Sequence, residues 1–170
     1  MTMAANPLIP NDGVITIEDG AATPLSVIVK YEDGDFSLSD IAEGNSDVQL
    51  FLDRGVPYSL RKTTKKVLKV SFSCHAVALG DGSVGNPLDA IRKKGAWAAA
   101  TSTFGDASST DAHCVRIKWV GERTDFNATA DAHVYLEKVR ITSSFAEGTP
   151  GKLSFEGEVY VTEDADVDIA

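Results

Sequence analysis

Two cysteines, two methionines, six prolines and only sixteen cationic side chains among 170 residues set the first limits on this chain. Cys74 and Cys114 are too few for a disulfide scaffold, and as free thiols both are expected to be buried, because unpaired cysteine is among the most buried residue types. No apolar run approaches the roughly 20 residues of a membrane-spanning helix. The first residues, Met1-Thr2-Met3-Ala4-Ala5-Asn6-Pro7, lack the charged and apolar regions of a signal peptide, so a soluble protein made in a cytoplasm, with no membrane partner, is expected. Lys and Arg number 16 against 25 Asp and Glu, a net charge of −9. That balance disfavours nonspecific attachment to nucleic acid or anionic lipid, which depends on cations neutralising phosphate. A G-x-S-x-G nucleophile elbow and an HExxH helix are both missing, and no catalytic residue, metal or cofactor is expected.

The charge that is present is unevenly placed. Arg54 to Lys69 holds six of the sixteen cations and no Asp or Glu, whereas Met1 to Asp53 carries ten acidic residues against one Lys. A cationic strip beside an anionic third favours head-to-tail contact between copies, because complementary potentials steer association and fix register.

The dominant period is two. Leu68, Val70, Phe72, Cys74 and Ala76 alternate with Lys69, Ser71, Ser73 and His75, as in a strand with one buried face. The same pattern runs through Leu25 to Glu32, Val115 to Trp119 and Leu153 to Thr162. Further strands are expected at Val14 to Ile17, Asp35 to Ser39, Val48 to Leu52, Tyr58 to Lys62 and Val134 to Phe145. Short strands between Gly, Asp, Asn and Pro clusters predict a mainly β protein, a sandwich or barrel of mostly antiparallel sheet. Asn86-Pro87-Leu88-Asp89-Ala90-Ile91-Arg92-Lys93-Lys94-Gly95 predicts one short α-helix: Asn caps it, Pro opens it, Asp lies in the first turn and cations in the last, and Gly follows. Residues 1–170 read as one domain with an irregular N-terminal end (1–12) and a solvated acidic C-terminal end (163–170). Thr101 to Ala112 reads as a surface loop.

Three motifs invite chemistry and fail on physical grounds. Gly80-Asp81-Gly82-Ser83-Val84-Gly85 matches G-x-G-x-x-G, but Asp81 would set a carboxylate where a pyrophosphate should sit, and no βα units follow. Cys74-His75 and His113-Cys114 offer two thiols and two imidazoles, yet neighbours in a strand point to opposite faces. Trp97, Trp119 and Tyr135 are the residues for a sugar-stacking platform, but Trp119 shares its phase with Val115 and Ile117, which favours the core.

Tyr31-Glu32-Asp33-Gly34-Asp35-Phe36-Ser37-Leu38-Ser39, then Val48 to Leu52, Asp53-Arg54-Gly55, Tyr58-Ser59-Leu60-Arg61 and the strand Leu68 to Ser73 together resemble the tail tube proteins of long-tailed bacteriophages. The shared order is a short hairpin around Gly-Asp-Phe-Ser, an Asp-Arg-Gly corner, a long exposed loop, a Ser/Phe-alternating strand and a later short helix. The resemblance implies a β-sandwich-like subunit without enzymatic activity, closed into hexameric rings whose inner sheets form a continuous β-barrel, and stacked into a tube in the virion tail. Tubes of contractile tails and secretion devices are similar. The partners implied are further copies of the chain, a tape-measure protein and passing DNA in the channel, and tail terminator and distal tail proteins. On this reading the Asp53 to Val67 loop crosses to a neighbouring ring, with Asp53, Arg54, Arg61, Lys62, Lys65 and Lys66 as contacts. Asp33, Asp35, Asp40, Glu43 and Asp47 are candidates for an anionic lumen or for the acceptor of that loop, with Asp33 and Asp35 favoured as acceptors at a hairpin tip. The rivals are a monomeric β-sandwich carbohydrate-binding module and a DNA-contacting protein using the Arg54 to Lys69 ribbon.

Overall fold

The alternating segments pair into antiparallel sheet throughout the computed structural model, which describes residues 13–29, 35–39, 46–65, 67–76, 78–105, 112–121, 132–162 and 164–169. In chain order the strands are β1 (Gly13–Glu18), β2 (Ser26–Val29), β3 (Ser37–Ser39), β4 (Ser46–Asp53), β5 (Val56–Lys65), β6 (Leu68–His75), β7 (Val115–Gly121), β8 (Ala132–Ala146), β9 (Lys152–Val159) and β10 (Val167–Ile169). Helix α1 (Pro87–Arg92) and a 3-10 turn (Gly95–Trp97) lie between β6 and β7. Seven strands follow the order β2-β1-β7-β8-β9-β6-β3, with β10 also on β8, while β4 and β5 form a separate two-stranded sheet.

The large sheet folds over along β8, a strand of 15 residues flanked by shorter ones. Val139 is the pivot: it pairs with Val115 of β7 on one edge and with Val159 of β9 on the other. Toward the start of β8 the buried residue is Leu136, and toward its end Ile141, so the inward set runs 136, 139, 141 and breaks strict alternation. The break is a bulge, since Val115 and Ile117, two apart on β7, face Val139 and Leu136, three apart on β8. An inserted residue flips the side-chain parity and bends the strand. β8 therefore begins in one half of the sheet and ends in the other. The inward residues of both halves, among them Ile15, Ile17 and Ile117 on one side and Val70, Phe72 and Phe155 on the other, join a single hydrophobic cluster. Phe36, just before β3, stacks on Trp119 of β7 with ring centroids 5.8 Å apart, so the far end of the sheet meets its middle. Gly157 is inward in β9 and has to be glycine: a Cβ there would stand 2.8 Å from Val70 Cγ1 and 2.9 Å from Val139 Cγ1.

Helix α1 starts as its sequence predicts, with the Asn86 side chain accepting the N–H groups of Leu88 and Asp89. Its end differs. Lys93, at φ 55° and ψ 53°, is the left-handed cap, and Gly95 instead turns against Gly82 with φ +56°. The Gly80 to Gly85 stretch serves the helix: Asp81 accepts the Ser83 N–H, and buried Asp89 accepts the Gly82 N–H at 2.8 Å.

Three expectations need correction. Asp53 to Val67 is a hairpin arm rather than a loop, because β4 and β5 pair along their length and turn tightly at Arg54-Gly55, whose φ values of 50° and 83° suit a two-residue hairpin turn. The segment before β3 is not a hairpin tip between β2 and β3: β2 pairs with β1 and β3 with β6, at opposite ends of the sheet order. Alternation identifies a strand but carries no information on its partner. The C-terminal end is not a solvated tail. Asp164–Asp166 forms a 3-10 turn and β10 pairs with β8, because the Asp166 carboxylate is buried, 2.7 Å from Lys138 Nζ, and accepts the N–H and hydroxyl of Thr162.

Asp166→Ala removes a buried carboxylate that accepts from Lys138 and from the N–H and hydroxyl of Thr162, so it should cost about 3 kcal/mol in urea unfolding and release β10 from β8. A loss under about 1 kcal/mol, the range of an exposed pair, would contradict the anchoring role.

Candidate functional site

Two surfaces of the sheet system stand outside the core formed by the described residues. The first is the hairpin. Successive strand residues point to opposite faces, yet Leu50, Phe51 and Leu52 of β4 are 51%, 40% and 58% exposed and Val56 of β5 is 65% exposed. Neither face is taken into the core. Among the described residues β4 and β5 pair only with each other, with register shifts at Asp47/Val48 and Phe51/Leu52 that add residues to β5 and increase twist. An isolated two-stranded hairpin is marginally stable in water, and this one carries exposed apolar residues on both faces. The cationic run lies along its second strand.

The second surface is the outward face of β8, β9, β6 and β3. Because one face of these strands fills the core, the other carries Ser37, Ser39, Lys69, Ser71, Arg140, Thr142, Glu156 and Glu158 around a groove of about 500 Å³. Its charges interleave across the strands: Glu158 of β9 is the register partner of both Lys69 and Arg140, and Glu156 of both Ser71 and Thr142. The groove is hydroxyl-rich, with two cations against two carboxylates. Among the described residues both edges of this layer lack a further strand. β3 closes one side with three residues, and on the other β7 ends its pairing at Val139, so Arg140 to Ala146 keep one edge without a strand among the described residues.

The sequence-predicted contacts fall mainly on the hairpin. Asp53 ends β4 opposite Val56, and Arg54 occupies the exposed turn; Arg61 pairs with Gln49, Lys62 with Val48 and Lys65 with Ser46. Lys66 lies outside the described residues, as do Asp33, Asp40 and Glu43. Asp47 sits in β4 opposite Thr64. Asp35 is already engaged: its carboxylate accepts the N–H of Ser73 at 3.0 Å and the Ser73 hydroxyl, with Lys152 Nζ 3.9 Å away, so it fastens the approach to β3 onto β6. The sequence reading passed over Leu50, Phe51, Leu52 and Val56. Their signal was present, since three consecutive apolar residues in a strand cannot all face one core.

Nucleophilic and sugar-stacking chemistry gain no geometry here. Burial, aided by Asp35, pushes the Cys74 thiol up to about 11, and burial raises Cys114 as well, which keeps both thiols protonated at neutral pH. Trp97 is 0% and Trp119 6% exposed, and Tyr135 stacks on His133 at 4.3 Å, so the three aromatics form no open platform. No protein-family model and no curated protein sequence matches this chain.

Because their side chains are exposed in the subunit, replacing Leu52 and Val56 together by Lys should leave the urea unfolding free energy within about 0.5 kcal/mol of the parent. A loss well beyond that would place one hairpin face against the core and remove it as a free surface.

Proposed function

We propose that this chain is the structural subunit of a tail tube, a non-enzymatic protein that closes into hexameric rings and stacks them into a channel for DNA delivery. The carrying observation is the β4–β5 arm, which stands apart from the large sheet with exposed apolar residues on both faces and a cationic strand. Such an arm gains stability only against another surface, and the acidic surplus of the chain supplies the complementary charge. The two open edges of the β8-β9-β6-β3 layer support ring closure. Pairing β3 of one copy with the free edge of β8 in the next would extend the sheet around a ring and remove edges that otherwise invite aggregation. Its polar outward face would then line the channel. That wall is a hydroxyl surface with balanced charge, and a polyanion finds no net cationic strip to bind there. The arm makes the contact between rings, with Arg61, Lys62, Lys65 and Lys66 meeting carboxylates of the neighbour.

Negative-stain microscopy of the purified full chain should show rings or tubes. Changing Arg61, Lys62, Lys65 and Lys66 together to Glu should abolish tubes while the subunit stays folded by circular dichroism. Amides of β3 and of residues 141–146 should become protected from hydrogen exchange on assembly. Uniform small particles under all conditions, or normal tubes from the charge-reversed variant, would overturn the proposal.

A further inference from the structure

His113 is the one described histidine whose two ring nitrogens are both buried without a hydrogen-bond partner. It precedes Cys114 at the entry to β7, where the incoming chain is held to the segment behind α1: Thr103 donates its N–H to the Cys114 carbonyl, and Cys114 donates its N–H to Ser102 Oγ. Three groups from the packed elements act on the imidazole: the Ala90 backbone and the Lys93 ammonium from α1 and its cap, and the Asp19 carboxylate from the turn after β1. None completes its hydrogen bonding. Asp19 is committed elsewhere, with Oδ1 accepting the N–H groups of Leu25 and Ala21 and Oδ2 that of Thr101. Lys93 brings a like charge.

We propose that His113 is a proton-operated latch, whose neutral imidazole lets α1 pack against β1 and β2 and the segment through Gly105 pack against the entry to β7, and whose protonation loosens them. An imidazolium is a donor at both nitrogens, and with only the Ala90 backbone placed to favour it, a charged ring withdrawn from water beside an ammonium costs more than a neutral ring in the same place. Opening the segment returns the ring to water and separates it from Lys93.

The direction of the pH dependence follows. Burial, then Lys93, holds His113 below the ordinary 6.5, outweighing the Ala90 backbone and Asp19. The open form therefore binds more protons below pH 6.5. The closed packing is at full strength above that value and weakens as pH falls toward the folded pKa.

Hydrogen exchange on the full chain at pH 7.5 and 5.0, corrected for intrinsic rates, reads this directly. The opening of α1 should rise at the lower pH by proton linkage, to at most about thirtyfold for a group that titrates at 6.5 in the open form, and the His113 ring should titrate below 6.5 by NMR. His113→Phe and His113→Gln should each remove the rise, the second serving if the first packs poorly, while His133→Gln should keep it. Equal α1 protection at both pH values in the parent, an unchanged rise in His113→Gln, or a His113 titration at or above 6.5 would overturn the latch.

Discussion

Val139 paired on both edges is the constraint from which the remaining architecture follows. A strand with neighbours on both sides at one residue, and with different neighbours before and after it, has to belong to two halves of the sheet. The bulge between Leu136 and Val139 resolves the conflict by switching which parity faces inward as β8 crosses. With that switch, β7 and β1 close over β9 and β6 around one core. Without it, Ile141 would turn to solvent, since a one-residue slip exchanges the two faces of a strand. Gly157 belongs to the same device, since the close approach of Val70 and Val139 at the fold leaves no space for a side chain between them.

The acidic surplus has a second role that net charge does not reveal. Asp19, Asp81, Asp89 and Asp166 each accept at least one backbone N–H from a loop or turn, Asp35 accepts one from β6, and three of the five are buried. An ionised carboxylate is an acceptor with several lone pairs and no donor of its own. It can therefore tie two stretches of chain that have only N–H groups to offer, as Asp19 does for the β1–β2 turn and Thr101. Five of the 25 carboxylates are thus consumed in fastening connections. What remains exposed is the field against which a cationic arm can act.

The same structure leaves two kinds of surface unfinished, and they differ in their chemistry. The hairpin offers apolar side chains and cations, which suit a surface contact steered by charge. The β8-β9-β6-β3 layer offers unpaired backbone edges and a polar face, which suit sheet extension. A monomer that needed neither would have blunted both, with charge on the strand edge and polar residues on the arm. Their coexistence in one chain is the feature on which the proposed ring and tube rest.

The local content of the fold was legible in the sequence. Period-two alternation located the strands because burying one face of a pleated strand imposes it, the Asn-Pro…Asp…Arg pattern located α1 because helix ends need those groups, and Trp119 declared itself core through its phase with Ile117. The placement of the cations on a strand-rich arm was half visible, since Val48 to Leu52 and Tyr58 to Lys62 read as strands while the stretch linking them read as a loop. Partner choice was not visible. That β2 and β3 lie at opposite ends of the sheet, that β10 returns to β8, and that Asp35 and Asp166 clamp rather than face outward all depend on contacts between residues far apart in the chain. Alternation specifies which side of a strand is buried, whereas the neighbour across each edge is chosen by backbone hydrogen bonds common to every residue, and only the folded chain decides among them.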